Sequence, residues 1–206
     1  MIDILRLEMI YYAPNTKECK MVEVWELARC LKNNARRGLL RYVCESFDGV
    51  NVSMACESTA ALHQPSTSQY LSQLARLGLI ERYRSGKYVS YKCSAKNAPK
   101  RIRDIALAIE NRFIEERTSV TRDERYVKYL PALANAARAR MIAYIFKSGR
   151  MKAEDLLDVF GFSTVTLSRH LESLKDCSLI TYDETECAAM PAAVEDPIAL
   201  KMIDAI

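Results

Sequence analysis

The sequence predicts a mainly α-helical protein with small β-hairpins, built as two tandem copies of one unit joined by a helix. Three observations carry this prediction. The hydrophobic period changes from helical to alternating within residues 66–93, a similar pattern recurs about 100 residues later, and an amphipathic stretch lies between the two. The 206-residue chain is 50% hydrophobic and 27% charged, which is the composition of a folded globular protein.

Residues 66–78 carry the pattern of a short amphipathic helix. One narrow sector of its helical wheel holds Thr67, Leu71, Leu74 and Gly78. The opposite side is polar without acidic groups and holds Ser66, Gln69, Gln73 and Arg76. Pro65 suits the first turn of a helix, where its missing N–H costs nothing, and Gly78 suits the end. Residues 22–47 and 52–62 are expected to supply the preceding helices.

A basic β-hairpin is predicted to follow this helix directly. The pattern becomes extended from Leu79, Ser85-Gly86 is a turn signal, and residues 88–92 return as the second strand. The basic residues near its tip are Arg82, Arg84 and Lys87. A short helix followed by such a hairpin is the organisation of a winged helix-turn-helix, in which the helix enters the major groove of DNA and the hairpin reaches the adjacent backbone or minor groove.

Internal similarity predicts a second copy of this unit. A shift of 102 residues lays residues 31–43 on 133–145, and a shift of 100 lays residues 67–80 on 167–180. The difference between the two shifts predicts a shorter loop at Ser148-Gly149. Two amphipathic helices that coincide by chance would not also match in order and spacing, so the similarity favours a repeated fold.

The predicted fold class is therefore mainly α with small β-hairpin wings, as two tandem winged helix-turn-helix domains joined by a helix. Residues 1–97 form the first domain with an N-terminal arm, 98–120 the linker helix, and 121–206 a divergent second domain with a C-terminal helix from Pro197. The apolar stripe of the linker helix is Ile102, Ile105, Ala106, Ile109 and Phe113. That helix either joins the domains as an extra packed helix or pairs with its twin across a dimer. Residues 7–12 are predicted to be a strand or an extended arm.

The stretches "LKNNARRGLLRYV" and "QPSTSQYLSQLARLGLIERYRSGKYVSYKC" resemble the ArsR-type winged-helix transcriptional regulators. The resemblance covers residues 22–94 well and residues 127–182 more weakly, and no wing is recognisable in the second region. It implies a repressor-like regulator that binds double-stranded DNA, usually as a homodimer. The residues predicted to contact DNA are Gln64, Ser66, Ser68, Gln69, Gln73, Arg76, Arg82, Arg84 and Lys87 in the first domain, and Thr166, Arg169 and His170 in the second.

The second domain lacks the basic wing of the first. Under the 100-residue shift, the wing residues Arg82, Arg84, Gly86 and Lys87 become Tyr182, Glu184, Glu186 and Cys187. Carboxylates near phosphate are repelled. The second domain is therefore expected either to touch DNA through its helix alone or to serve as a dimerisation or docking module.

The distribution of charge points to a polyanion partner for the first domain. The net charge of +4 divides into 14 Lys/Arg against 9 Asp/Glu in residues 1–97, 5 against 4 in 98–120, and 11 against 13 in 121–206. The leading hypothesis is a DNA-binding regulator. Its alternatives are a tandem winged-helix module for protein contacts, such as a chromosome-organising accessory subunit, and a regulator that responds to a ligand or to redox state.

Several other functions find no support in the sequence. The nucleotide-binding, metalloprotease and hydrolase motifs are absent, so we expect neither an enzyme nor a cofactor. The seven cysteines are scattered without a C-x-x-C pair and are predicted to be reduced thiols, with Cys56 a small buried residue sooner than a redox sensor. His63 and His170 lie in separate repeats, so no metal site is expected. No window is apolar enough for a membrane helix, and a cytoplasmic location is expected.

Overall fold

The computed structural model describes residues 23–58, 62–118 and 124–206. The predicted strand or arm at residues 7–12 lies outside them. The helices are α1 Val24–Lys32, α2 Asn34–Glu45, α3 Val52–Ser58, α4 Gln64–Arg76, α5 Lys100–Glu115, α6 Leu130–Leu133, α7 Ala136–Ser148, α8 Ala153–Phe160, α9 Thr164–Asp176 and α10 Pro197–Asp204. The strands are β1 Val50–Asn51, β2 Ile80–Ser85, β3 Tyr88–Cys93, β4 Met151–Lys152, β5 Ile180–Asp183 and β6 Ala188–Pro191. Short 3₁₀ turns cover Ala95–Asn97, Glu116–Thr118 and Arg125–Tyr129.

The chain folds into two halves with the same order of elements. The first half runs from α1 to β3 and the second from α6 to β6, and each is followed by one further helix, α5 or α10. Each half holds a three-stranded antiparallel sheet, in the order β1-β3-β2 or β4-β6-β5. The prediction of a mainly helical fold with small β-hairpins is confirmed, and so is the shorter loop, since residues 149–150 replace residues 46–49.

The second half contains a hairpin although its sequence carries no recognisable wing pattern. Strands β5 and β6 pair antiparallel from Ile180 opposite Pro191 to Asp183 opposite Ala188. The Asp183 carboxylate accepts hydrogen bonds from Thr185 N, at 3.0 Å, and Glu186 N, at 3.3 Å, and so stabilises the turn that glycine serves in the first hairpin. A turn that a side chain closes carries no glycine signal, and the pattern was therefore missed.

Asparagines at equivalent positions begin the second helix of each half. The side chain of Asn33 accepts a hydrogen bond from Arg36 N, and that of Asn135 accepts one from Arg138 N. An asparagine in this position satisfies an N–H group that the first turn of a helix leaves unpaired. Asn33 thereby divides the helical segment predicted at residues 22–47 into α1 and α2.

Equivalent helices of the two halves pack on each other. Helix α1 lies against α6, and α5 lies against α10, while α5 also contacts α1 and α2. The predicted apolar stripe of α5 is buried, and one continuous apolar core includes residues from Val24 to Ile203. Helix α5 is thus an extra packed helix between the halves, the first of the two alternatives. The domain boundaries at residues 97 and 120 stay a prediction.

A buried ionic network crosses the junction between the halves. The guanidinium of Arg41 contacts Glu116 at 2.6 Å and Glu124 at 3.3 Å, and it lies 4.4 Å from the centre of the Phe113 ring. Burial opposes the charge on Arg41, but its carboxylate partners outweigh burial and raise its pKa. Arg112 pairs at 2.9 Å with Asp196, which is 1% exposed and caps α10. Such charges are tolerated inside a protein only when they are paired.

A disulfide joins Cys44 in α2 to Cys93 in β3, with 4.6 Å between their Cα atoms. The prediction that all cysteines are reduced is wrong for this pair. The two residues are 49 positions apart and meet because α2 packs on β3, a contact that spacing along the sequence does not show. Among the described residues, Cys30 and Cys177 are free and buried, Cys56 is half-buried, and Cys187 is exposed.

The described segments contain no candidate membrane-spanning helix. None of their helices combines the length and the apolar content that a bilayer crossing requires.

Candidate nucleic-acid interface

Helix α4 presents the polar face that the sequence predicts. Its inner face is held by Thr67, Leu71 and Leu74, all fully buried, and the Thr67 hydroxyl donates to His63 O at 3.2 Å. On the outer face, Gln64, Gln69 and Arg76 are exposed, whereas Ser66, Ser68 and Gln73 are half-buried. The helix contains no carboxylate. Its outer face therefore offers amides, hydroxyls and one guanidinium to a partner.

The end of α4 requires a glycine for two reasons. Gly78 adopts φ +73°, in the left-handed region that side chains disfavour. A Cβ atom there would also lie 2.6 Å from Ala98 Cα, in the segment that leads into α5. The glycine lets the chain pass directly from α4 into β2, and this fixes the position of the hairpin beside the helix.

Three cations of the first hairpin are exposed to solvent. Strands β2 and β3 are in register from Ile80 opposite Cys93 to Ser85 opposite Tyr88, and Gly86 turns the chain at φ +61°. Arg82, Arg84 and Lys87 are exposed, and none of them forms an ion pair with a described carboxylate. Lys92 differs, because it pairs with Glu81 at 3.4 Å. Three exposed cations on the hairpin that follows α4 are thus available to bind phosphate.

The tip of this hairpin holds an exposed aromatic residue that the sequence analysis did not single out. Tyr88 is 56% exposed, and the Lys87 ammonium lies 5.2 Å from the centre of its ring. Tyr88 opposes Ser85 across the hairpin, on the face opposite to Arg84. Its position two residues after the turn signal Ser85-Gly86 was the available clue.

Of the three residues in the second half that are predicted to contact DNA, two make contacts with other side chains of the protein. Arg169 is exposed. The Thr166 hydroxyl lies 2.9 Å from the hydroxyl of Ser163, the residue that caps α9. His170 is half-buried with its ring 5.2 Å from that of Phe162, and burial, assisted by the nearby Arg138, lowers its pKa. Thr166 and His170 therefore have structural contacts of their own, which the sequence pattern did not reveal.

The second hairpin presents acidic side chains where the first presents basic ones. Glu184 and Glu186 are exposed at its tip. Arg150 pairs with Asp183 at 3.0 Å and also contacts Glu186. A hydrogen bond from the Thr185 side chain is the main reason why the pKa of Asp183 is lowered, so this carboxylate is negative at neutral pH. The second hairpin thus repels phosphate.

Comparison with known proteins gives no family for this chain. No protein-family profile matches it, and no curated protein and no solved structure matches it. The resemblance to ArsR-type regulators therefore stays a prediction that depends on the residues quoted for it.

Proposed function

We propose that this protein is a sequence-specific, repressor-like transcriptional regulator that binds double-stranded DNA through tandem winged helix-turn-helix units. In this proposal α4 enters the major groove and the β2–β3 hairpin serves as the basic wing. The observation that carries it is the set of three exposed cations, Arg82, Arg84 and Lys87, on the hairpin that directly follows α4. They form no ion pair with a described carboxylate, and α4 itself contains no acidic residue. Phosphate contacts of this kind position a protein on DNA, while side chains in the groove read the bases.

The packing of the halves favours binding by a single chain. The pairs α1 with α6 and α5 with α10 bring equivalent elements of the two units together, as the subunits of a symmetric dimer would. A homodimer is then not required to present two units to DNA. Because the units differ in sequence, the proposed site is an asymmetric duplex sequence without a palindrome.

The first unit supplies most of the affinity in this proposal. Glu184 and Glu186 oppose phosphate at the second hairpin, and Arg169 is the exposed cation that α9 offers near its outer face. Because counterion release on phosphate binding supplies most non-specific affinity, a unit with an acidic wing contributes little of it. Helix α9 then reads bases only after the first unit has brought it close to DNA.

The test uses a duplex that the full chain selects from a random library. Affinity is measured by fluorescence anisotropy across a series of salt concentrations. Replacing Arg82, Arg84 and Lys87 together by alanine should lower the log–log salt slope by at most about three units, at roughly 0.9 per phosphate contact. The matched control replaces three exposed lysines of the second half, Lys147, Lys152 and Lys201, and should leave the slope unchanged.

Two results would count against the proposal. An unchanged slope in the hairpin variant would remove the wing assignment, and an equal loss in the control would remove the ranking of the halves. Failure of the full chain to select any duplex would favour the alternative function, a tandem winged-helix module for protein contacts, which the acidic second hairpin supports.

A further inference from the structure

The second half contains an apolar cavity between its last two helices and its hairpin. The cavity has a volume of about 300 Å³ and is lined by α8, α9 and β5. Its walls are mostly Ala153, Leu157, Leu167, Leu171 and Tyr182. A water molecule occupies about 30 Å³ in the liquid, so this space is large enough to receive an aromatic side chain.

The first half is more polar at two of the corresponding positions. Under the shift of 100 residues, Leu167 and Tyr182 correspond to Thr67 and Arg82. Helices α3 and α8 begin 101 residues apart, so Leu157 corresponds to Cys56. The buried Leu71 and Leu171 are the same residue type in the two halves. An apolar partner that enters an open cavity removes its apolar lining from water, and this burial lowers the free energy of the complex.

The mouth of the cavity carries an excess of negative charge. Glu172 and Lys175 are exposed and belong to its lining. Glu184 directly follows β5, two residues after the lining residue Tyr182. Its carboxylate, after burial and the Cys187 thiol, contributes to raising the pKa of the Tyr182 phenol. Two carboxylates against one ammonium favour an occupant that combines an apolar group with positive charge.

The first hairpin of this protein has that combination. Tyr88 is 56% exposed at its tip, and the ammonium of Lys87 lies beside the ring. The tip is a two-residue turn, and Tyr88 lies exposed directly after it at the narrow end of the hairpin. An exposed aromatic tip with a cation matches a concave apolar cavity with an acidic mouth.

We infer that the tip of the first hairpin of one chain docks into the cavity of the second half of another copy, with Tyr88 in the cavity and Lys87 at Glu172 and Glu184. The contact joins two different surfaces, so it is head-to-tail and can continue from chain to chain. Since the same hairpin is the proposed wing, a chain engaged in this way would not place that wing on DNA. The inference itself is tested without DNA and stands or falls independently of the proposed function.

The first experiment measures self-association by sedimentation velocity from about 1 μM to about 1 mM protein, a range that covers weak specific contacts. The wild-type chain should show a weight-average sedimentation coefficient that rises with concentration. Tyr88→Ser, which removes the ring, and Ser168→Trp, which fills the mouth of the cavity from an exposed position, should each abolish the rise. Phe47→Ser is the matched control. Phe47 is 86% exposed but lies in the loop between α2 and β1, away from the hairpin turn in sequence, so this variant should associate like the wild type.

Mixing the two inactive variants distinguishes this docking mode from others. Tyr88→Ser keeps an intact cavity, and Ser168→Trp keeps an intact hairpin, so an equimolar mixture should form dimers of one chain of each and nothing larger. Circular dichroism melting of each variant checks that both remain folded. A mixture that stays monomeric while both variants melt like the wild type would overturn the inference.

Reversal of charge tests the electrostatic part of the contact. Glu172→Lys with Glu184→Lys should weaken self-association at least about fivefold, since two exposed attractive pairs become repulsive. Adding an equal amount of Lys87→Glu chains should restore the association between unlike variants. A wild-type chain that remains monomeric at every concentration, or association that persists in Ser168→Trp, would sink the proposal and leave the cavity to a small apolar molecule or to another protein.

Discussion

The two hairpins of this protein share one topology and carry opposite charge. Both pair with a short strand from the loop after the second helix, and both follow a 13-residue helix, α4 or α9. On the outer faces of those helices, Gln69, Ser72 and Arg76 correspond to Arg169, Glu172 and Asp176. The inward positions hardly differ, as Leu74 and Leu174 or Ile80 and Ile180 illustrate. The core preserves the fold, and the surface is free to acquire another role.

The two halves are not equivalent at the junction between them. Arg41 corresponds to Ala143 under the shift of 102 residues, so the first half alone supplies this buried cation. Arg41→Ala removes the guanidinium that lies 2.6 Å from Glu116, whose side chain is only 11% exposed. We expect the free energy of unfolding in urea to fall by about 3–5 kcal/mol.

Two further variants test the origin of that effect. Arg140→Ala removes an exposed arginine that lies 5.3 Å from the Trp25 ring and should cost less than about 1 kcal/mol. Replacing Arg41 and Glu116 together by methionine and leucine should recover much of the lost stability, because no unpaired charge stays buried. A loss in Arg41→Ala no larger than that in Arg140→Ala would show that the network contributes nothing measurable.

The first half alone contains the disulfide between Cys44 and Cys93, and reducing this bond tests what the difference contributes to stability. Phe146 and Pro191 occupy the places of Cys44 and Cys93. Opening the bond should lower the free energy of unfolding by about 2–4 kcal/mol, since it frees the unfolded chain from a closed loop. Hydrogen exchange in dithiothreitol should rise in β2 and β3 and stay constant in β5 and β6. Equal changes in both hairpins would contradict the assignment of the bond to one half.

The patterns that sequence reasoning found are local ones. The inner face of α4, the stop at Gly78 and the turn at Gly86 each depend on residues within a few positions of one another. The disulfide, the Arg41 network and the packing of His170 on Phe162 depend on tertiary contacts that no spacing encodes. The second hairpin has no recognisable sequence pattern because Asp183 closes its turn in place of glycine, and Cys187 adopts φ +47°. The sequence predicts which side of α4 is polar and exposed, but the partner that contacts this side stays a proposal.

The outer faces of α4 and α9 differ at one candidate base-reading position, where Gln69 corresponds to Arg169. Gln69 is exposed in the middle of the outer face, and a glutamine can form two hydrogen bonds with an adenine edge. Gln69→Ala should therefore weaken binding to the selected duplex by about 1–3 kcal/mol while leaving binding to a scrambled duplex unchanged. Gln73→Ala is the matched control, since Gln73 is half-buried and should have the smaller effect. Equal losses on both duplexes would show that Gln69 reads no base.

Helices α4 and α9 end alike, because Gly78 and Ser178 occupy equivalent positions with similar backbones, and changes there should have small effects. Ser178 adopts φ +56° while Gly78 adopts φ +73°, and only the glycine does so without strain. Ser178→Gly should raise the free energy of unfolding by about 0.5 kcal/mol, because the relief of roughly 1 kcal/mol of strain is partly offset by the greater freedom of glycine in the unfolded chain. Gly78→Ser should lower it by more, since its Cβ would also meet Ala98. Urea unfolding measures both, and a destabilised Ser178→Gly variant would mean that the serine side chain contributes more than its backbone costs.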